Sequence, residues 1–503
     1  MREVMRLDGH WRFCADLDPE YHATAGYVKP DWDRRHWDIV PVPGCWNKYA
    51  ERYALFEGVG WFAREFDVKP DERLTRAVLR FEGVNYEARV FLNGQLVGEH
   101  EGGYTEFTCE ASAALRPGRN VLVVRVDNRR NRIKLPAVMG WFNYGGIHRS
   151  VQLERTGWAR IEQVLVDAVV DGGRTHGEVR VRVTAQKDER LMARAAMIHP
   201  SRAGAWDFQW PVEPTGRLLS FPFSFGWDTR WCPEQPGCYE CQMELHDASG
   251  GRIDRVSTTF GVREVRVQGR NLLLNGQPLW LKGVCCLGDH PATGVALNPS
   301  LVGQDFDHIQ SLGINALRTH YPMPRWFLDE CDRRGLLVWL EAPIYCLAPK
   351  KDAVGTAFAD PAYLALARQM MTEMIAAAYN HPSVIIWSMG NECATDHPEA
   401  AEFFKGVADA ARQLDGKRPL GYACLYGLGG CAADLADIVG MNAYWGWYDR
   451  IGRPPTPPEP IPLEPFVKAL QTFRERYEKP LLMTEFGADA APGYVSAAKP
   501  LWS

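Results

Sequence analysis

No uninterrupted apolar stretch in this sequence approaches the roughly 18 residues that a membrane-spanning helix requires. Charge of one sign is also lacking. Lys and Arg total 57 against 62 Asp and Glu, a net charge of −5, which predicts no nucleic acid or other polyanion as a partner. The one compact basic run, 129–134, is short and reads as a solvated loop. The chain carries no Asn-x-Ser/Thr acceptor, because Asn298-Pro299-Ser300 holds the excluded proline. Its first eight residues are charged and show no apolar leader core, so a cytoplasmic location is expected. Cys238 and Cys241 have no second Cys-x-x-Cys to pair with and lie in a segment that reads as a strand. No metal and no cofactor are expected. The 13 cysteines are odd in number and scattered, as free thiols of a reducing compartment would be.

What is present is ordinary for a globular protein, with 46% hydrophobic and 24% charged residues. The 18 tryptophans are many, and flat aromatic faces suit the C–H faces of sugars as well as large cores. At roughly 150 residues per domain, 503 residues suggest about three domains. Residues 1–155 read as all-β: 77–81, 88–92 and 120–126 are short apolar-rich runs, and Asn93-Gly94 is a hairpin turn signal. Residues 156–263 continue the pattern at 178–183, 218–223, 238–245 and 256–260, a second and smaller β-sandwich.

From about Glu264 the pattern changes, and 264–503 form the third unit. Strand candidates at 279–284, 316–319, 336–341, 384–388, 419–423, 438–442 and 481–485 alternate with helical segments. In the clearest helix Asp360 caps, Pro361 opens the first turn, and Tyr363, Leu366, Met370, Met371, Met374 and Ile375 mark one apolar face. Asn380-His381-Pro382 stops it, and Gly313 and Gly335 end two others. Repeated strand–helix alternation predicts a parallel (β/α) barrel. Seven strands are countable, and the closing strand and helix are expected to be absent after Glu485.

Chemistry in such a barrel sits at the C-terminal ends of the strands. Val384–Ser388 leads into Met389-Gly390-Asn391-Glu392, and Leu481–Thr484 leads into Glu485. The two glutamates therefore emerge on one face from the fourth and seventh strands, across the barrel from each other. Glycosidic cleavage needs such a pair, one carboxylic acid for the leaving oxygen and one carboxylate for the anomeric carbon. Asn391 is placed to bond a sugar 2-hydroxyl, Tyr444 to hold Glu485, and Trp445 to wall the subsite. Glu341 ends the third strand, His320 follows the second, and Asp289 and His290 follow the first. Each of these is a candidate for sugar contact or for support of the site.

These segments resemble glycoside hydrolase family 2, which holds the β-galactosidases and β-glucuronidases. The resemblance runs through Val42-Pro43-Gly44-Cys45-Trp46-Asn47, Gly145-Gly146-Ile147-His148-Arg149, Arg318-Thr319-His320-Tyr321-Pro322, Trp387-Ser388-Met389-Gly390-Asn391-Glu392 and Thr484-Glu485-Phe486-Gly487. It implies a jelly-roll sugar-binding domain, an immunoglobulin-like β-sandwich and a TIM barrel, here without its last strand. It also implies a retaining exo-β-glycosidase with Glu392 as general acid/base and Glu485 as nucleophile.

The segments Trp141–Gly146 and Asn442–Tyr448 are most similar to the β-glucuronidase branch. Gly140 and Leu287, however, stand where that branch has an aspartate and a histidine, and its uronate-reading Asn-x-Lys element would lie beyond Ser503. A neutral β-glycoside, such as a β-galactoside, is therefore expected ahead of a β-glucuronide. The competing readings are a non-catalytic carbohydrate-binding protein on the same fold and an inactive truncated enzyme. The expected partner is a small-molecule or oligosaccharide β-glycoside, with a homo-oligomer as a further possibility. Seven prolines in 453–465 predict a stiff loop on the site face.

Overall fold

The computed structural model describes residues 2–16, 26–129, 134–136, 142–347, 355–425, 429–445 and 463–487. Asn93 and Gly94 take φ of 51° and 87°. Two positive φ values are what a two-residue hairpin turn needs, and the turn joins Glu87–Leu92 to Gln95–Glu101. Ala88, Val90 and Leu92 alternate inward from that strand. They pack against Leu79, Phe81, Val151 and Leu153 of a facing sheet. The result is an antiparallel sandwich of six strands on four. A second sandwich follows, three strands on four. Val179, Val181 and Val183 of one sheet meet Cys241, Met243 and Leu245 of the other. Cys241 is thus a core residue of the strand Tyr239–His246.

At the end of the basic run one residue differs from expectation, while Arg129 at its start is exposed. Lys134 is not solvated but 2% exposed. Its Nζ donates to Asn128 O at 2.8 Å and Asn143 Oδ1 at 3.0 Å, and lies 4.6 Å from the Tyr86 ring centroid. A buried ammonium needs such partners, and one backbone carbonyl, one amide side chain and an aromatic face supply them here. Residues 130–133 lie outside the described ones.

The third unit is a single parallel sheet of seven strands in sequential order. They are β1 (Gly283–Cys286), β2 (Ala316–Thr319), β3 (Leu337–Glu341), β4 (Val384–Asn391), β5 (Leu420–Leu425), β6 (Ile438–Asn442) and β7 (Leu481–Glu485). The expected first strand is displaced. Leu279 and Leu281 pack with Trp231, Leu272 and Leu274 against the starts of the strands, closing the barrel at the end opposite its C-terminal face. Their apolar character comes from that floor and not from the ladder. The expected absence of a closing strand concerns residues 488–503, which lie outside the described ones, as does most of the proline-rich stretch 453–465.

Helices α1 (Pro299–Ser311) and α2 (Arg325–Arg334) separate the first three strands. Gly335 ends α2 at φ 70°, where a Cβ would meet Pro233 O at 2.3 Å, so both conformation and space require glycine. A short helix α3 (Gly355–Ala359) precedes α4 (Pro361–Ala378). The Asp360 carboxylate caps α4 by accepting from Ala362 N at 2.9 Å. Its six expected face residues are all buried. Just past its end, the Asn380 side chain pairs with Val164 O and Val166 N of the second sandwich, both at 2.8 Å. The chain cannot continue as helix and keep that clamp. Among the described residues no helix is long and apolar enough to cross a membrane.

Candidate active site

Glu392 follows β4 through a tight turn. Gly390 has φ 150° and its missing Cβ would lie 2.3 Å from Ile344 O. Glu392 itself has φ 52°, a left-handed conformation rare outside glycine and costing on the order of 1–3 kcal/mol. Its N–H is secured by Ala423 O at 2.9 Å. The carboxylate receives Asn442 Nδ2 on Oε1 at 2.6 Å, while the Cys346 thiol lies 4.0 Å from Oε2. Burial raises its pKa, the Asn442 hydrogen bond opposes this, and the charge of Glu485 raises it again.

Glu485 is surrounded differently. Arg318 Nη1 donates to Oε1 at 2.5 Å, His320 Nε2 lies 3.4 Å from the same oxygen, and the Tyr444 hydroxyl donates to Oε2. Burial would raise this carboxyl, but the His320 bond, the Arg318 charge and the Tyr444 bond outweigh it and bring it to about 2. One glutamate is thus held ionised and the other is pushed toward its acid form. Both lie on one face, and Glu392 feels the charge of Glu485.

Glu341 lies beneath this pair with no exposure. It accepts from Arg318 Nη2 at 3.1 Å on both oxygens, from Ser388 Oγ at 2.9 Å and from Trp339 Nε1 at 3.2 Å. It also pairs with His320 Nδ1 at 3.0 Å. A side chain so enclosed cannot reach a sugar, so of its two expected parts only support fits. His320 lies between two carboxylates. Burial would lower its pKa, but the bonds to Glu341 and Glu485 raise it, favouring the imidazolium.

The other candidates fall in three places. Asn391 is buried beside Glu392, its Oδ1 taken by Arg318 at 2.7 Å and Asn442 at 2.8 Å. Tyr444 and Trp445 follow β6. Trp445 stands edge-on to Phe466 of α5 (Glu464–Arg476), with centroids 5.6 Å apart. Asp289 is exposed on the loop after β1, where the Tyr144 hydroxyl of the first sandwich reaches it at 3.4 Å. His290 turns back on its own loop and accepts from Ala292 N at 3.1 Å on Nδ1.

Sequence reasoning singled out neither Arg318 nor Asn442. Each is the charged or polar residue at or next to the last position of a barrel strand. That position, rather than residue type, was the available signal.

Family models describe residues 4–157 as the sugar-binding domain, and residues 265–503 as the TIM barrel domain, of glycosyl hydrolases family 2. The chain is 29% identical to the β-glucuronidase of Paenibacillus borealis, over 98% of this chain and 84% of that protein. It is 27% identical to the human β-glucuronidase, over 98% and 79%. Its fold matches a GH2 β-galacturonidase from Eisenbergiella tayi bound to galacturonate with a TM-score of 0.85 and 29% identity, covering 100% of this chain and 85% of that one. These relatives act on uronides. They favour the reading placed second above, the β-glucuronidase, over a neutral β-galactoside. With both family domains matched in order, the chain belongs to glycosyl hydrolase family 2 and is a glycoside hydrolase.

Proposed function

We propose that the protein is a retaining exo-β-uronidase acting on β-glucuronides. Glu485 attacks the anomeric carbon while Glu392 protonates the departing oxygen. A covalent glycosyl-enzyme results. Glu392, now a carboxylate, then takes a proton from water, which attacks the anomeric carbon and releases Glu485. The observation that carries the two roles is the opposite environment of the two carboxyls: three donors on Glu485, against burial and one amide on Glu392. With Asn391 Oδ1 occupied, its Nδ2 is the end left for the sugar 2-hydroxyl.

The uronide rests on relatives that align over nearly the whole chain. The charge balance is compatible with it. Arg318 and an imidazolium at His320 match Glu341 and Glu485, so a substrate carboxylate meets no uncompensated negative charge while Glu392 is protonated. Gly140, one of the two departures that pointed to a neutral sugar, lies outside the described residues. Leu287, the other, is a half-buried residue of the loop after β1. A β-galacturonide is the second reading, favoured by the galacturonate-bound relative. The test is kcat/KM for 4-nitrophenyl β-glucuronide, β-galacturonide, β-galactoside and β-glucoside. At least a tenfold preference for a uronide is expected. A preference for a neutral sugar would overturn the substrate, though not the roles of the glutamates.

A further inference from the structure

Asn442, the last residue of β6, is wholly buried although it carries an amide. β5 separates β6 from β4 in the sheet. The side chain nevertheless reaches the end of β4. Its Nδ2 donates to Glu392 Oε1 at 2.6 Å and to Asn391 Oδ1 at 2.8 Å, and its Oδ1 accepts from Thr484 Oγ1 at 2.7 Å. The two ends of an amide are alike in shape and opposite in chemistry, so its neighbours must fix its orientation. Arg318 does so from a distance. A guanidinium only donates, and Arg318 Nη2 donates to Asn391, so the group that Asn391 shows to Asn442 is its oxygen. Asn442 must answer with its nitrogen, which leaves its oxygen for the Thr484 hydroxyl.

The consequence falls on Glu392. A carboxylic acid protonated on Oε1 would set its hydrogen against the Asn442 N–H. We propose that Asn442 is a positioning residue for the acid/base: it keeps Glu392 Oε1 an acceptor and thereby confines the catalytic proton to Oε2. This rests on the reading of Glu392 as acid/base given above. The other groups facing Glu392 are Glu485 from β7, Arg318 and His320 from β2 and its end, and Cys346 after β3, with Glu341 below Arg318. Burial, then the charges of Glu392 and Glu485, push the Cys346 thiol up to about 11, so it stays neutral beside Oε2.

Loss of the Asn442 N–H removes a donor that favours the carboxylate, so the Glu392 pKa should rise. The experiment measures pH profiles of kcat/KM for the preferred glycoside of the panel above, with phenyl and 2,4-dinitrophenyl leaving groups. Asn442→Ala should move the alkaline limb up by about one pH unit, the size of one charge-assisted hydrogen bond. It should lower kcat/KM at the optimum about tenfold or more for the phenyl glycoside. The dinitrophenyl glycoside, which needs little protonation, should lose least. Thr484→Val removes only the hydroxyl that orients the amide and should move the limb the same way by less, while Thr484→Ser should keep the parent profile. An unmoved limb with equal losses for both leaving groups would overturn the inference. If Asn442→Ala does not fold, Thr484→Val decides it. Azide rescue of Glu392→Ala reads the underlying assignment separately. Rescue with a β-glycosyl azide and an unmoved limb sinks only the part given to Asn442, whereas no rescue sinks the acid/base assignment and the inference with it.

Discussion

Glu485 accepts from Tyr444 and Arg318 and lies against His320, whereas Glu392 accepts from the amide of Asn442 and has the Cys346 thiol 4.0 Å from its other oxygen. The two carboxyls are thereby shifted in opposite directions, and mutants should separate the two proposed roles. Glu485→Ala is expected to abolish turnover, and added azide should then give an α-glycosyl azide from direct displacement. Glu392→Ala should retain the first step on good leaving groups and, with azide, give the β-product. Product stereochemistry by NMR checks both, and the reverse pattern would exchange the roles. The pH dependence follows with its sign. Glu485, at about 2, stays ionised throughout the ordinary working range, so it sets no acid limb above roughly pH 4. As the proposed general acid, Glu392 must hold its proton in the first step, so activity is expected to fall as pH rises through its raised pKa. The alkaline limb should therefore lie above the ordinary glutamate value of about 4.3, and it should vanish in Glu392→Ala assayed on a dinitrophenyl glycoside.

β2 and β3 act as one element through the pair of Arg318 and Glu341 and the bridging His320. Removing one partner of a buried ion pair strands the other, at a cost of about 3–5 kcal/mol. Glu341→Ala is thus expected to lower the unfolding midpoint markedly in a denaturant titration. It should also cut kcat by at least tenfold, because Arg318 and His320 lose the carboxylate that aims them at Glu485. Stability and kcat near the parent values would show that the strands hold these donors unaided. The strands themselves were legible because apolar runs alternated with helices carrying caps and stops. The two glutamates were legible because strand ends are where a barrel places chemistry. What the residue pattern hid was of two kinds. The apolar run before β1 serves the barrel floor, and hydrophobicity alone does not distinguish a floor from a ladder. Position alone did not show that Glu341 is enclosed, where it supports Arg318 and His320 rather than facing a sugar, or that His290 is turned into its own loop. Asn442 shows the converse: its reach from β6 across to Glu392 depends on barrel curvature, which no local spacing encodes.

At the scale of the whole molecule, the first sandwich braces the face of the barrel that carries the chemistry. Arg149 is buried, and its Nη1 donates to Tyr104 O at 2.8 Å within the sandwich. Its Nη2 donates to Pro322 O, three residues past the end of β2. Tyr104 stacks on Tyr321 with centroids 4.0 Å apart and planes within 7°. Cys45 and Tyr144 join Val295 and Tyr345 in the same cluster. The segment held this way begins at His320, one residue after β2 and two after Arg318. Movement of Pro322 is therefore movement of the donors on Glu485. Burial brings the Arg149 guanidinium down to about 10, so it remains charged at neutral pH and its bonds to the Tyr104 and Pro322 carbonyls are charge-assisted. Arg149→Met keeps much of the volume and removes both donors. Each buried carbonyl left without a partner costs about 1–3 kcal/mol, and each tenfold in rate corresponds to about 1.4 kcal/mol. The variant is expected to unfold at lower denaturant and to lose about tenfold or more in kcat/KM, although Arg149 touches no substrate. The loss should be similar for phenyl and dinitrophenyl leaving groups, because the disturbed residues hold Glu485, the proposed nucleophile, and not the proposed acid. A loss confined to the phenyl glycoside, or none, would mean that the sandwich leaves the site to the barrel alone.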